Sequence, residues 1–422
     1  MHLPAENIIN SGNTAFVLVY DKLCHGGIET MILRLSKKIR ESGAYVCLVC
    51  KKGGDLDAAI NIYADIFYQQ STADISDVSL RILEKTTQCQ SIIMISFDVG
   101  ASTRAVYLEQ LLAEKISIKN ITGIFHPRAY FMPCQPADRV FLNRITLLLY
   151  GARNTFFMNA ECKLSHAKKF GLDYGFSPII ILPVIDDTNH EPTYSPRMAP
   201  GSALKVLSVG RIVPFKAYNR GAPAILKSLF SAGVDAEWDI YGYGPDEAEV
   251  DAAARELGVS DQLSLRGLLP YGELPSIINR YDVFVGMGTA VLEAAALGLP
   301  SICAIVDQKD RSYGFVHELP VGNVGETISG RSMLSIADLL IRYSELTAGA
   351  KSELMRKSVA YCGNYSVDGF LMSILSMANS AKVVKKSLPR LAISWLILEV
   401  AEGWLGRLIF GSGIKAKLKR IF

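Results

Sequence analysis

The chain has 422 residues, half of them hydrophobic, and a formal net charge of +3 at pH 7. This length and composition predict two or three domains with sizeable cores, and they exclude disordered and fibrous proteins. The charge is unevenly distributed, because residues 381–422 hold nine Lys and Arg against two Glu, a net charge of +7 that leaves −4 for the rest.

Strand and helix patterns alternate from residue 14 onward. Ile28, Ile32, Leu35 and Ile39 recur at helical spacing, which predicts the buried face of a first helix. This alternation is typical of a doubly wound α/β domain, which we expect over residues 1–185. Its strands are predicted at 14–20, 44–50, 91–97, 120–126, 154–159 and 178–182.

Eight cysteines are scattered along the chain, and the only Cys-x-x-Cys pair, Cys47 and Cys50, lies in a predicted strand. Side chains three residues apart in a strand point to opposite faces, so these thiols are not expected to share a metal or form a bridge. Scattered thiols are typical of a reducing compartment. No signal-peptide pattern and no run of eighteen apolar residues is found, so we expect a cytoplasmic protein.

Two features of this first half are candidates for ligand binding. Gly26 and Gly27 lie between the first strand and the first helix; a plain turn would also use them, but their position before the helix favours backbone approach to a ligand. His126 ends a predicted strand, where an open α/β sheet presents residues to a crevice. A single histidine is also common as a packed or surface residue.

Residues 186–203 contain several prolines and little periodicity, which predicts a linker. A second α/β domain is expected over 204–364. Its strands are predicted at 204–209, 237–241, 263–265, 281–285 and 301–306, and its helices at 221–230, 245–257, 333–346 and 350–362.

The segment 281–300 (YDVFVGMGTAVLEAAALGLP) has the pattern of a strand, a glycine turn and a helix. Such a turn directs N–H groups and the positive end of the helix dipole to one point, which suits a phosphate. Glu293 lies one turn further on, where its carboxylate can accept hydrogen bonds from sugar hydroxyls. A connection without a ligand is the alternative. Upstream, a predicted strand ends at Gly210 and is followed by Arg211 and Lys216, two cations suited to phosphate oxygens.

In order and spacing over roughly 206–306, four segments resemble those of glycosyltransferase family 4, the retaining nucleotide-sugar transferases of the GT-B fold. One departure is Val285, eight residues before Glu293, where the family has a first Glu. The segments are Gly210-Arg211 with Lys216, Tyr241-Gly242-Tyr243-Gly244-Pro245, Leu263-Ser264-Leu265-Arg266-Gly267, and the run from Gly286 through Glu293 to Pro300.

The resemblance implies two Rossmann-like domains that face a central cleft and hold a nucleoside-diphosphate sugar. Glu293 would bind the ribose, and Gly26 and Gly27 would approach the donor or the acceptor from the first domain. His126 would lie beside the reacting sugar, in a substrate-contact or proton-handling role and not as a dedicated base. The donor diphosphate would be held by Arg211, Lys216, Gly288 and Thr289, and the base would lie near Gly244, Arg266, Gly267 and Leu268.

The expected function is transfer of a sugar to a surface-polysaccharide or lipid-linked acceptor, with retention. No metal or other cofactor is expected, since Arg211 and Lys216 supply the positive charge. Because of Val285, a second function is also considered, that of a partner subunit that binds a nucleotide sugar and has little or no transfer activity. A nucleotide-sugar epimerase is the third, although the paired carboxylates it needs are not identifiable.

The end of the chain goes beyond the usual family pattern. In the family a last helix, here expected within 365–390, often crosses back to the first domain. Residues 391–422 then combine an apolar stripe at helical spacing with four terminal cations. This combination predicts an amphipathic helical tail, which binds an anionic membrane surface from the cytoplasmic side or packs against protein. The stripe is formed by Ile393, Ile397, Val400, Trp404 and Leu408.

Overall fold

The computed structural model of the chain describes residues 13–24, 26–71, 74–132, 135–186, 194 and 202–381. Strand β1 (Thr14–Val19) lies in the middle of the first sheet. The chain forms two units. Among the described residues, unit 1 contains those up to Ile181 and those from Asp368 to Ala381, and unit 2 contains those from Leu182 to Val367. His25, most of the predicted linker and the predicted tail lie outside the described residues.

Unit 1 contains a six-stranded parallel sheet in the order β3-β2-β1-β4-β5-β6. The central strands read as near-continuous apolar runs because helices cover both faces of such a sheet. The further strands are β2 (Val46–Cys50), β3 (Asp65–Tyr68), β4 (Ser91–Ser96), β5 (Ser117–Ile124) and β6 (Thr155–Phe157). The helices are α1 (Gly27–Glu41), α2 (Asp57–Ile60), α3 (Asp74–Lys85), α4 (Val99–Leu112), α5 (Ala137–Asn154) and α6 (Ala160–Phe170).

Two strand predictions for unit 1 were wrong. Residues 178–182 form only an isolated bridge between Phe157 and Ile179, because the segment continues into the connection between the units and does not extend beside β6. Strand β3 was missed, since its four residues begin with an acidic side chain and are mostly half-buried. Strand β3 is held in the sheet by its pairing with the fully buried strand β2, rather than by the β propensity of its own residues.

Unit 2 contains a seven-stranded sheet in the order β13-β12-β11-β10-β7-β8-β9, parallel from β11 to β9. Its strands are β7 (Leu204–Val209), β8 (Ala236–Tyr241), β9 (Leu263–Gly267), β10 (Val283–Gly286), β11 (Ser301–Ala304), β12 (Arg311–Phe315) and β13 (Leu334–Ser335). Its helices are α7 (Tyr218–Ser231), α8 (Glu247–Glu256), α9 (Leu274–Ile277), α10 (Thr289–Ala296), α11 (Ile336–Ser344) and α12 (Ala348–Cys362).

The predicted α/β fold class is confirmed, since both sheets are mainly parallel and carry helices in their connections. Strands β12 and β13 were not predicted from the sequence. They pair antiparallel, β12 with β11 and β13 with β12. A short strand that contains a glycine and gains its place through non-local pairing has little local signal.

The last described helix, α13 (Val367–Ser380), packs on unit 1. The Phe370 ring lies edge-on to Phe156, with ring centroids 6.0 Å apart. Lys38 and Asp368 form an ion pair at 2.9 Å, and the Lys119 ammonium donates to the Ala381 carbonyl at 3.3 Å. Among the described residues, none of the helices has both the length and the apolar character needed to cross a bilayer.

One histidine of unit 1 is fully buried in an aromatic cluster. His166 lies with its ring centroid 5.1 to 6.0 Å from those of Tyr130, Phe131, Phe157 and Phe170. Its Nδ1 lies 2.8 Å from the Cys162 carbonyl, which can only accept, so Nδ1 carries the proton of the neutral ring. Burial lowers the pKa of His166 to about 4, although the hydrogen bond to Cys162 favours the charged form.

This burial predicts an acid-sensitive stability for unit 1. Between pH 6.5 and 4 the unfolded chain binds a proton at His166 that the folded chain does not, so stability falls as pH falls through this window. The full effect is about 3 kcal/mol. Denaturant unfolding at several pH values should show a flatter acid dependence for His166→Phe. The control Ile62→Ser, at an exposed position of unit 1, should keep the wild-type slope; equal slopes for wild type and His166→Phe would contradict the assignment.

Candidate functional site

The loop that follows β7 brings two cations together in unit 2. Gly210 has φ of +143°, and a Cβ added there would lie 2.5 Å from Lys216 Nζ, so the lysine lies directly against the glycine backbone. Lys216 is half-buried and Arg211 is exposed. Burial, with a smaller contribution from the Arg211 charge, lowers the pKa of Lys216 to about 8.

Neither cation has a carboxylate partner within the described part of the chain. A half-buried ammonium beside a guanidinium is unfavourable unless an anion binds there, since the like charge and the lost hydration both oppose its protonation. The arrangement of Arg211 and Lys216 therefore fits the diphosphate role that was predicted for them.

The neighbouring strand ends hold this loop in place. The N–H of Gly210 donates to the Tyr241 carbonyl at 2.8 Å, and that of Gly242 donates to the Gly267 carbonyl at 2.7 Å. A Cβ on Gly242 would collide with the Gly210 carbonyl, and one on Gly244 with the Ile212 carbonyl. Gly244, predicted to lie in the base region, thus has a packing role that allows two loop backbones to touch.

The segment predicted to lie near the base is held by an ion pair. Arg266 Nε lies 3.0 Å from an Asp239 carboxylate oxygen, and the Tyr281 hydroxyl donates to the other oxygen at 2.7 Å. Gly267 has φ of +69°, which turns the chain after β9, and Leu268 is exposed. Asp239 and Tyr281 were missed from the sequence, although an acidic residue inside the apolar strand β8 was a usable signal.

In the glycine turn after β10, one of the N–H groups predicted to bind the diphosphate is already hydrogen-bonded within the protein. The N–H of Gly288 donates to the Val324 carbonyl at 2.7 Å, so it is already used and does not fit the predicted diphosphate contact. Val324 lies in a loop that contacts the glycine turn, and the sequence around the turn does not predict this contact. The first N–H groups of α10, those of Thr289 and Ala290, have no acceptor within the helix, and both residues are half-buried. Thr289 thus stays a candidate for the diphosphate.

Glu293 lies four residues after Thr289 on α10 and is half-buried. Residues four apart lie on the same face of a helix, about 5 to 6 Å from one another. The carboxylate is therefore on the same side as the first turn of α10, where the prediction of a ribose contact requires it.

Val285 is fully buried in the core of unit 2, together with Trp238 and Ile302. Ser208 Oγ donates to the Val285 carbonyl at 2.6 Å and accepts from Trp238 Nε1 at 2.9 Å. Because β10 continues to Gly286, position 285 is an inward-facing strand position. A valine there completes the core, and it provides no polar contact for a ligand.

In unit 1 the two glycines lie at the start of α1. Gly26 is the N-cap in an extended conformation, and Gly27 is the first helical residue. A Cβ on Gly26 would lie 2.5 Å from Glu29 Oε2, and the other Glu29 oxygen accepts from the Tyr20 hydroxyl at 3.1 Å. Gly26 thus makes room for a carboxylate of its own helix, which gives it a structural role beside the predicted ligand approach.

His126 lies two residues beyond the end of β5 and is exposed. Its Nδ1 accepts from the Arg128 N–H at 3.0 Å, so the neutral ring carries its proton on Nε2. In this tautomer Nε2 donates a hydrogen bond and cannot accept a proton. The geometry agrees with a substrate contact and disfavours a role as general base.

Asp55-Leu56-Asp57 has the spacing of an acidic metal-binding pair, but Asp57 Oδ2 accepts from the Gly53 N–H at 3.2 Å and from the Tyr68 hydroxyl at 3.1 Å. Across the described ranges, no group of three or more His, Cys, Asp or Glu side chains is placed to hold a metal ion. Independence from metal stays a prediction.

Replacing either cation of the loop after β7 should weaken nucleoside-diphosphate binding. We expect Arg211→Ala and Lys216→Ala to lose about 1.5 to 3 kcal/mol each in calorimetric titrations with UDP, the cost of a charge-assisted contact. Wild-type affinity should fall as pH rises through 8, where Lys216 loses its proton, whereas Lys216→Arg should retain affinity to higher pH. Lys227→Ala, on the exposed face of α7, is the matched control. Unchanged affinity in both alanine variants would remove these residues from the site.

Glu293→Ala should lose nucleotide affinity and keep its fold, because the residue is half-buried and polar and contributes little to the core. The expected loss is about 1.5 to 3 kcal/mol for a hydrogen bond to a charged group. A thermal melt and a UDP titration are compared with those of Glu256→Ala, an exposed acidic residue at the end of α8. Unfolding with normal affinity per folded molecule would instead assign Glu293 a structural role.

Parts of the chain are similar to known glycosyltransferases. Residues 197–308 match the family model described as glycosyl transferases group 1. A 2-deoxystreptamine glucosyltransferase of Streptomyces kanamyceticus is 32% identical over 98 residues, which are 22% of this chain and 25% of that protein. WcaL of Escherichia coli, named as a colanic acid biosynthesis glycosyltransferase, is 24% identical over 166 residues, which are 35% of this chain and 41% of that protein. The matched segments thus span less than half of either relative.

The solved structures resemble the chain over most of its length. HepE of Anabaena, determined in complex with UDP, is 13% identical, has a TM-score of 0.62, and the match covers 87% of this chain and 100% of that chain. An identity this low concerns the fold alone. The chain therefore has the GT-B fold, and its residues 197–308 are similar to glycosyl transferases group 1.

Proposed function

We propose that the chain is a retaining glycosyltransferase that moves a sugar from a nucleoside-diphosphate sugar to a polysaccharide or lipid-linked glycan acceptor. The observation that carries this proposal is the pair of cations Arg211 and Lys216 after β7, which have no carboxylate partner among the residues that the structure describes. The adjacent strand β10 leads into α10, whose first N–H groups have no helical acceptor. Both features favour a diphosphate.

The proposed reaction depends on stabilising the negative charge of the leaving diphosphate. The leaving diphosphate gains negative charge as the glycosidic bond breaks, and donors already aimed at it stabilise the transition state without reorganisation. Arg211 and Lys216 supply positive charge, and Thr289 and Ala290 supply N–H groups in place of Gly288. Glu293 would accept from the ribose hydroxyls.

His126 has a different part in the proposal. Its Nε2–H is suited to donate to a hydroxyl or phosphate oxygen of a substrate. We assign it to substrate orientation. The retaining outcome is an inference from the resemblance to family 4 and from no single residue of this chain.

The relatives guide the choice of substrates. HepE was determined with UDP, so a UDP-sugar is the first donor to test, and the name of WcaL directs attention to surface polysaccharides. A lipid-linked acceptor would be met at the cytoplasmic face of a membrane. The tail predicted for 391–422 would contact that membrane, and this contact stays a proposal.

One observation favours a second candidate function. Val285 cannot hydrogen-bond a donor sugar, because it is fully buried in the core. A partner subunit that binds nucleotide sugar without efficient transfer would tolerate this replacement. Such a subunit would keep the diphosphate contacts of Arg211 and Lys216.

Purified protein incubated with a panel of radiolabelled nucleotide sugars and a lipid extract separates these candidates. We expect transfer from a narrow set of donors, since the sugar is oriented without a carboxylate at position 285. Tight UDP binding with no transfer from any donor would favour the partner subunit. Release of an epimerised nucleotide sugar would indicate an epimerase.

Val285→Glu should not restore a donor contact. The new carboxylate would lie in the apolar core, and an unpaired buried charge costs roughly 3 to 5 kcal/mol of folding free energy. Urea unfolding should show this loss, whereas the control Val285→Ile should stay within about 1.5 kcal/mol of wild type. Normal stability together with tighter UDP-sugar binding would show that position 285 faces the donor.

A further inference from the structure

Four large apolar side chains of unit 1 are exposed around the loop that follows α6. Phe176 is 74% exposed, Leu164 on α6 is 65% exposed and Ile179 is 45% exposed, and Leu148 on α5 is 42% exposed. Single exposed apolar residues are common, but a group of them indicates an interaction surface. These four residues are called the α5–α6 surface.

Hydrogen bonds attach the loop after α6 to both neighbouring helices. Ser177 Oγ donates to the Ala152 carbonyl of α5 at 2.7 Å, and the Lys163 ammonium of α6 donates to the Ser177 carbonyl at 2.8 Å. Ser177 directly follows Phe176, and Leu164 directly follows Lys163. Leu148 lies four residues before Ala152 on α5, whose backbone departs from helical geometry at Gly151. The loop is therefore fixed against both helices.

Cations surround this apolar group. The Arg153 guanidinium lies 5.4 Å from the centre of the Phe176 ring, and Lys168 and Lys169 are exposed at the end of α6. Residues 144–179 contain five Lys and Arg against two Asp and Glu, a net charge of +3. One of the two carboxylates, Asp173, accepts from the Gly175 N–H at 2.7 Å. The surface is thus apolar at its centre and cationic at its edge.

We infer that the α5–α6 surface binds the headgroup region of an anionic lipid bilayer. Exposed apolar side chains can enter the boundary between headgroups and acyl chains, while Lys and Arg extend their long stems to reach lipid phosphates. Lys is depleted in protein–protein interfaces, whereas three of the five cations here are Lys163, Lys168 and Lys169. A lipid surface is therefore the better match than a protein partner.

This contact would be additional to the one proposed for the tail at 391–422. Stable peripheral binding takes two signals, because a single weak anchor dissociates readily. The inference does not depend on which sugar is transferred. Its test uses no donor and no turnover, so its failure leaves the proposed transfer reaction untouched.

The test measures sedimentation of the full-length chain with vesicles of phosphatidylglycerol and phosphatidylethanolamine, and with vesicles of phosphatidylcholine alone. In Leu164→Ser/Phe176→Ser/Ile179→Ser we expect the partition coefficient on anionic vesicles to fall about tenfold or more, given the apolar area lost. In Lys168→Gln/Lys169→Gln we expect weaker binding to anionic vesicles and a smaller salt dependence. All variants keep the tail, so differences report the α5–α6 surface.

The matched control is Leu80→Ser on α3. Leu80 is 60% exposed, and α3 carries three carboxylates against two cations, so this variant should bind like wild type. Thermal melts and UDP affinity identify folded variants, and Phe176→Ser alone replaces the triple variant if that one is unstable.

Wild-type partitioning in the folded triple or single variant would overturn the inference. So would light scattering without lipid that shows a wild-type dimer and a monomeric triple variant, because the surface would then be a contact between two copies of the chain.

Discussion

The close packing of three strand ends in unit 2 is the constraint on which the candidate site depends. Gly210, Gly242 and Gly244 let the loops after β7 and β8 touch backbone to backbone, where any Cβ would collide. The loop after β7 then holds Lys216 against Gly210, partly removed from water and near Arg211. Burial in this position, together with the charge of Arg211, lowers the pKa of Lys216, and a bound anion would stabilise its charged form.

Close packing also determines the conformation of the turn before α10. The Val324 carbonyl accepts from the N–H of Gly288, which fixes the turn, while the N–H groups of Thr289 and Ala290 have no acceptor within α10. Val285, one residue before the turn begins, fills the core beneath it. A site built in this way depends on backbone groups and two cations more than on acidic side chains, which is consistent with a narrow choice of donor.

Unit 1 contains two of the residues that were predicted to contact a substrate. The Arg128 N–H donates to His126 Nδ1, so the neutral ring can donate from Nε2, and the Gly26 position is shaped by the Glu29 carboxylate. On another part of unit 1, apolar side chains surrounded by cations lie around one loop. The proposed transfer to a lipid-linked glycan would need both a substrate contact and a means of staying near the lipid.

The sequence alone determined the alternation of strands and helices, the position of both glycine-rich turns and the pair Arg211 and Lys216, because periodicity and turn residues are local signals. Strands β3, β12 and β13 became apparent only in the tertiary structure, since each has five residues or fewer and little local signal. Whether an N–H such as that of Gly288 is available depends on Val324, 36 residues away in the chain, and the inward orientation of Val285 depends on where β10 ends. Hydrogen-bond occupancy and burial are properties of packed segments, and no local pattern encodes them.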